Sequence, residues 1–434
     1  MTQRIAVIGA GIAGLSAAWL LARRHAVTLF EAKDWLGGHA HTVDLRVDGI
    51  EAPVDTGFLV FNDRTYPGLV ELFEHLGVQS APSDMSFSVS LPQVGIEWAG
   101  ASFATLFAQK TNLLRPRFWA MVRDVLRFNR ESVELLARGI PEDLSLGAFL
   151  ERHGYSAPFR DWYLLPMAAA IWSCPAEQMS HYPCATFLRF CHNHGLLQIG
   201  DRPQWRTVQG GAREYVRRMA AGIADVRLST PVEHIRRSAS AVEVCSGDGT
   251  ERFDQVVLAC HSDQALGLLA DAHPHEQRLL GSIHYRTNRV VLHTDASFMP
   301  RRRAAWSSWN YISATPDSGQ RPVSVSYWLN RLQPLPFTTN LIETLNPHRE
   351  PRAESVLARF EYSHPLFDAV ALRAQRELPA IQGRRRTWYC GAWCGYGFHE
   401  DGLRAGVSVA NAMGVAAPWQ PAAAVATPRQ AVPA

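Results

Sequence analysis

Lysine is almost missing from this 434-residue chain. Lys33 and Lys110 are the only two, so 41 of the 43 basic residues are arginines, and almost any mechanism requiring a catalytic lysine is excluded. The seven cysteines are odd in number and none has metal-ligand spacing. That excludes a disulfide framework and a zinc knuckle, and suits free thiols in a reducing compartment. Cys390 and Cys394, four residues apart, read as small buried packing residues. His181, His192 and His194 lack a companion carboxylate at helical spacing, so no metal site is expected. A formal charge of +3 gives no general case for nucleic acid. Internal repeats are absent. One long stretch, residues 5 to 22, carries no charge; its three glycines make a poor membrane span, and Glu31 in register downstream argues against a secretory leader. A cytoplasmic location is the expectation.

What that stretch does contain is Gly9-Ala10-Gly11-Ile12-Ala13-Gly14 between an apolar strand, Arg4 to Ile8, and an Ala/Leu-rich helix from about 12 to 24. The first glycine permits the tight turn, the second lets a pyrophosphate approach the backbone, and the third lets helix pack on strand. The free N–H groups at the helix start then face the phosphates. Glu31 ends the strand Val27-Thr28-Leu29-Phe30, where a carboxylate can accept hydrogen bonds from both ribose hydroxyls and would repel a 2′-phosphate. Gly37 and Gly38 follow. Together these predict a dinucleotide-binding half-domain.

The remaining chain alternates in character. Residues 50 to 61 are strand-like, with Gly57 where backbone comes close to something. Residues 100 to 195 read as helical and rich in Trp and Arg. A loop at 208 to 215 leads into a helix, residues 241 to 259 form a hairpin ending in Val256-Val257-Leu258-Ala259, and segments at 287–294, 304–313 and 322–332 suggest an antiparallel sheet. Strand Trp388-Tyr389-Cys390, a glycine-rich loop and a helix from about Gly402 to Ala412 close the chain. Residues 417–434, rich in Pro and Ala, read as a disordered tail.

Over nearly its whole length the sequence resembles the FAD-dependent amine oxidase, phytoene desaturase and protoporphyrinogen oxidase superfamily. The marks are the glycine loop, Glu31-Ala32, Gly37-Gly38, Thr42, Thr230-Pro231-Val232 and the Gly391 to Gly406 region. Asp55-Thr56-Gly57-Phe58 and Gly395-Tyr396-Gly397-Phe398-His399-Glu400-Asp401-Gly402 make it most similar to a bacterial NAD/FAD-binding group associated with fatty acyl modification. The resemblance implies an α/β fold. A Rossmann-like FAD-binding domain of the glutathione-reductase type (1–85, 205–265 and 383–416) joins a discontinuous α+β substrate domain (86–204 and 266–382). It also implies that FAD is held by Gly9, Gly11, Ile12, Ala13, Gly14, Glu31, Ala32, Gly37, Gly38, His39, Thr42, Gly57, Phe58, Val232, Gly391, Trp393, Asp401, Gly402 and Leu403. The pattern is broken where the superfamily has arginine near the pyrophosphate: His39, a weaker charge expected to titrate near neutrality, stands there. Ala392 replaces the usual aspartate, and Glu400-Asp401-Gly402 replaces Glu-Gly-Ala.

A helix starting near Gly402 would offer its positive end to the reduced flavin edge. Many amine oxidases of the superfamily hold a water near the flavin with a lysine from the substrate-domain sheet; here that sheet offers Arg289, His293, Trp309, Tyr311, Tyr327 and Asn330. The expectation is therefore a dehydrogenase or desaturase removing hydride from a hydrophobic substrate, a fatty acyl chain. The enzyme alternatives are an amine or polyamine oxidase and a redox-neutral double-bond isomerase; the non-enzyme alternative is a flavoprotein acting as an assembly partner. His399, Glu400 and Tyr396 are the catalytic candidates. The segment Lys110 to Arg138, with seven basic and three acidic residues among apolar ones, suggests peripheral contact with the inner face of a membrane. The alternative is an ordinary solvated helix face.

Overall fold

Small side chains decide how the nucleotide half is assembled. The computed structural model describes residues 1–141, 144–173, 175–198, 200, 202–313 and 324–420. A five-stranded parallel sheet runs in the order Asp225–Arg227, Ala26–Phe30, Arg4–Ile8, Gln255–Leu258, Thr387–Tyr389. Its central strands are buried almost throughout, as parallel strands covered on both faces must be. The helix Ile12–Leu21 is apolar all round and buried at nine of its ten positions, so it lies inside the domain, against the helix His399–Ala412. Two glycines one turn apart allow that contact. A Cβ on Gly402 would lie 2.7 Å from Ile12 Cγ2, and one on Gly406 would lie 2.1 Å from Ser16 Oγ.

A three-stranded meander, Val232–Arg237, Val242–Ser246 and Gly249–Phe253, covers one side of this sheet. The second layer is a seven-stranded mixed sheet, ordered Val356–Leu366, His284–His293, Ile342–Leu345, Val325–Trp328, Trp309–Ile312, Phe87–Leu91, Ile96–Ala99. The three segments expected to form an antiparallel sheet supply its strands His284–His293, Trp309–Ile312 and Val325–Trp328, although 322–323 lie outside the described residues. The expected helical region contains the long helix Pro116–Arg138 and a group of shorter helices from Leu146–Arg152 to Cys184–Asn193.

Two expectations change. The closing helix begins at His399, not near Gly402, because Asp401 accepts from the amides of Tyr396 (3.1 Å) and Phe398 (3.0 Å) and draws the preceding loop into a cap. The tail is ordered at its start: Ala417 is buried and Trp419 stacks on Trp19 with ring centres 6.1 Å apart. Residues 421–434 lie outside the described residues.

Candidate functional site

The two layers enclose one cavity of about 1490 Å³, reaching from the glycine turn to the helical region. That exceeds the ~300–1,000 Å³ of ordinary small-molecule pockets, leaving room for a dinucleotide and a second, elongated ligand.

At the nucleotide end, Gly9 has φ +100° and Gly14 presses on the turn so closely that a Cβ would lie 1.8 Å from Gly9 O. The helix that follows starts at Gly11 with no side-chain cap and no acid in its first turn, so its free amides are available to an anion. Glu31 lines the cavity, with Oε2 accepting from the Ala10 amide (2.7 Å) and Oε1 from the Lys33 amide (3.0 Å). Both oxygens keep lone pairs for hydroxyl donors. Ala32, Gly37, Gly38, Gly57, Phe58 and Val232 also line this part, as do Gly9, Gly11, Ile12 and Ala13. Gly57 is where sequence reading placed a close approach: a Cβ there would lie 2.1 Å from His39 O.

His39 corrects an expectation. Part of the residue still meets solvent, but its Nε2 is buried and has no hydrogen-bond partner among the described residues. Burial, then the neighbouring His364, His261, His399 and Lys33, hold its pKa well below the ordinary imidazole value. It is neutral by itself rather than half-charged at pH 7. Its ring lies beside Tyr362 and His364, at 5.1 and 5.3 Å between centres. The Tyr362 hydroxyl in turn meets His41 Nδ1 at 3.0 Å and Thr56 Oγ1 at 2.9 Å.

At the other end of the crevice, Gly391, Trp393, Tyr396 and His399 line the cavity. Gly391 is required by contact, since a Cβ would lie 2.3 Å from the Trp393 indole nitrogen. His399 is flat against Phe58, with ring centres 3.9 Å apart at 9°, and its Nε2 meets the Tyr215 hydroxyl at 2.6 Å. Burial lowers its pKa to about 3.

Six of the residues expected to hold the cofactor or act in catalysis do not line the cavity. Glu400 turns away from it and caps the helix Pro67–Leu76, with Oε1 accepting from the Gly68 amide (3.0 Å) and Oε2 from Leu69 (2.9 Å). A carboxylate held in this way is a structural group, which corrects its reading as a base. Asp401 builds the loop cap described above, and burial raises its pKa to about 6. Gly402 and Leu403 lie within the helix, Leu403 being buried in the core. Gly14 serves the turn's packing, as expected of the third glycine. Thr42 is a strand residue whose hydroxyl bonds Asp55 Oδ1 at 2.5 Å and accepts from the Arg213 amide.

Of the sheet residues weighed in place of a lysine, Trp309 and Tyr327 line the cavity. Arg289 faces outward and pairs with Glu350, His293 bonds Thr344 Oγ1 at 2.8 Å, and Asn330 ties the 337–341 loop. Sequence reading missed Glu343, a buried carboxyl group on the same sheet face. Burial, with the nearby Asp55 adding to it, raises its pKa well above the ordinary carboxylate value. Alternation in Ile342–Leu345 gave no signal, since all four residues are buried.

Beyond Trp309 the walls become mostly apolar, with Leu106, Met121, Val122, Val125, Leu126, Met167 and Ile171 around an amide side chain from the helix Pro116–Arg138, Asn129. Among the described residues, neither lysine stands at the Gly391–His399 loop: Lys33 lies over Trp35 at the nucleotide end, and Lys110 is exposed. Six of the seven cysteines are described, all as free thiols, and burial raises the pKa of Cys394 to about 12.

The uncapped helix start, Glu31 and the unpartnered nitrogen of His39 fit a dinucleotide diphosphate, and the Gly391–His399 loop fits a ring beyond it. Comparison with known proteins agrees. Among solved structures, the fold is similar to cyclohexylamine oxidase from Brevibacterium oxydans IH-35A (TM-score 0.68, 18% identity, 95% of this chain and 99% of that one). It is also similar to the CLA-producing fatty acid isomerase from P. acnes (TM-score 0.66, 18% identity, 93% and 97%). The carotenoid phi-ring synthase of Streptomyces griseus is 27% identical over 321 residues, 69% of this chain and 59% of that protein. The protein of that name from Chlorobaculum tepidum is 42% identical over 79 residues, 18% of this chain and 12% of that one. The chain thus spans less than two thirds of the length of the curated relatives it matches. Residues 12–338 match the family described as flavin containing amine oxidoreductase. The chain belongs to this family of FAD-dependent oxidoreductases.

Proposed function

We propose that the protein removes hydride from a long, apolar substrate, a fatty acyl chain, lying in the gallery beyond Trp309. The observation that carries this reading is the continuity of one cavity from the glycine turn to walls of Leu, Met, Val and Ile. Bound FAD supplies hydride acceptance; the protein orients the chain and excludes water. The imidazoles that line the cavity next to the Gly391–His399 loop are weak bases. His399 and His194, with pKa values of about 3 and about 4 through burial, remain neutral and bind protons weakly. A substrate with an activated C–H bond, such as an allylic one, suits such weak proton acceptors. A fatty acid isomerase of similar fold is compatible with an acyl substrate. The curated relatives support a second reading, an isoprenoid polyene in the same gallery.

Access from a membrane belongs to this proposal. Trp119, Arg123, Leu126, Arg130 and Val133 recur every three or four residues on the helix Pro116–Arg138, and all are exposed. Leu126 also lines the cavity, and Phe103 and Leu114 are exposed nearby in sequence. Apolar residues alternating with arginines suit an anionic lipid surface. No described helix is long and apolar enough to cross a membrane.

The test compares lipids and pigments from cells with and without the protein by mass spectrometry, then adds the altered class to the purified enzyme without oxygen. Bleaching of the flavin by acyl lipids is expected. Bleaching by polyenes alone selects the second reading. Rapid stoichiometric peroxide formation from an amine overturns both.

A further inference from the structure

Across the substrate-domain sheet, Trp309 pairs with Tyr327 and Tyr327 with Glu343. Directly paired residues project from the same face, and all three line the cavity. Glu343 is only 3% exposed and Tyr327 7%. Trp309 Nε1 and Glu343 Oε2 are buried with no hydrogen-bond partner among the described residues. Buried polar groups left unpaired are costly, and in a native structure they call for a physical reason. Their neighbours on this face are apolar: Val290, Val325, Leu345 and Phe87.

We propose that Trp309, Tyr327 and Glu343 form a polar rung that recognises a neutral oxygen function on the substrate, the carbonyl of an esterified acyl chain. This rests on the acyl-chain reading above and narrows it. The indole N–H can only donate, and a protonated carboxyl group also offers a donor. Such donors suit a lone-pair acceptor. The charge around Glu343 selects further. Asp55 acts on it electrostatically and opposes a further negative charge, so a free fatty acid carboxylate is disfavoured against an ester. An ammonium ion has no lone pair to accept the indole hydrogen. The aromatic Tyr327, set edge-on to Trp309 at 4.8 Å between ring centres, separates the two outer groups, so the rung also fixes where along the gallery the oxygen sits. That placement selects which carbons reach the cofactor. These are positioning residues.

The experiment titrates the FAD-loaded enzyme with methyl decanoate, decene, decanoate and decylamine, following perturbation of the oxidised flavin spectrum. The parent should bind the ester at least about tenfold more tightly than decene. Glu343→Leu should erase that preference, so that the ester binds no more tightly than decene. Glu343→Gln, which keeps a neutral donor, should retain it within about threefold. Trp309→Phe should reduce it without loss of bound FAD, which guards against misfolding. Equal binding of ester and decene by the parent overturns the rung while leaving the apolar-chain reading intact. Tightest binding of decylamine, abolished by Glu343→Gln, makes Glu343 an ionised counter-charge and overturns it too. Failure of both decene and the ester to bind overturns the rung and the acyl reading together.

Discussion

The hydroxyl of Tyr215 and Nε2 of His399 lie 2.6 Å apart inside the protein, joining a helix of the nucleotide half to the first residue of the closing helix. Burial holds His399 neutral, with a pKa of about 3, and keeps the Tyr215 phenol protonated far above its usual value. The pair is therefore a fixed hydrogen bond and not a proton switch. His399→Gln should leave the pH dependence of flavin reduction unchanged from about pH 5 to about pH 8. Loss of a limb of that profile in the variant would assign His399 a titrating role. Tyr215→Phe should cost about 1–3 kcal/mol of stability by leaving the imidazole nitrogen unpaired.

Glu400 should matter to stability more than to chemistry. Its carboxylate caps the helix Pro67–Leu76 through Gly68 and Leu69, so Glu400→Gln should lower urea resistance by about 1–2 kcal/mol. Turnover at saturating substrate should stay within about threefold, as expected of a cap that touches no reacting atom. A hundredfold slower enzyme of unchanged stability would restore the reading of Glu400 as a base.

Removing Glu31 should weaken FAD binding. The carboxylate holds the turn through Ala10 and Lys33 and is placed to receive ribose hydroxyls. Glu31→Ala should lose about 3 kcal/mol, more than a hundredfold in Kd. Equilibrium dialysis reads this directly; an unchanged Kd would show that the ribose is held elsewhere.

Acid should loosen the meander from the parallel sheet. Arg237 donates to both Glu276 oxygens, at 2.5 and 2.8 Å, and the Tyr389 hydroxyl donates to one at 2.7 Å. Burial opposes the Glu276 charge, but these bonds prevail and hold its pKa down to about 2. A depressed carboxylate stabilises the fold above its ordinary value of 4.5 and loses that contribution as pH falls toward 2. The contribution is about 3 kcal/mol. Urea midpoints should fall steeply below about pH 4.5, and Glu276→Gln should flatten that dependence.

The exposed stripe on the helix Pro116–Arg138 sets a fifth expectation. Arg115 donates to Gly95 O, and Arg117 lies over the Trp162 ring, so reversing these two would disturb internal contacts. Arg123 pairs with the buried Asp124, so Arg130→Glu with Arg138→Glu is the pair that leaves the buried contacts in place, and each reversal should remove about 1 kcal/mol or more of attraction to anionic vesicles. Co-sedimentation should become weak and salt-insensitive while FAD content is unchanged. Equal vesicle binding by the variant would return this face to ordinary solvent exposure.

The legible features were local ones. The strand, glycine turn and helix at 4–21, and the spacing to Glu31, follow from backbone sterics and chain geometry over a few dozen residues, so the sequence itself determined the nucleotide crevice. Asp401 shows where local reasoning slipped: its carboxylate reached back to the amides of residues 396 and 398 and began the closing helix a turn early. Glu400 lies 332 residues from the Gly68 amide that it holds, and Tyr215 lies 184 from His399. No periodicity encodes such partners, because packing brings them together. Glu343 was invisible for a related reason. A carboxyl group normally implies a solvent-facing position, and only the pairing of Ile342–Leu345 between two other strands carries it into the interior. The sequence by itself determined the cofactor class and the turn that receives it. The tertiary structure alone decided which polar side chains cap helices and which meet the substrate cavity, because burial and long-range contact set the proton and hydrogen-bond state of each.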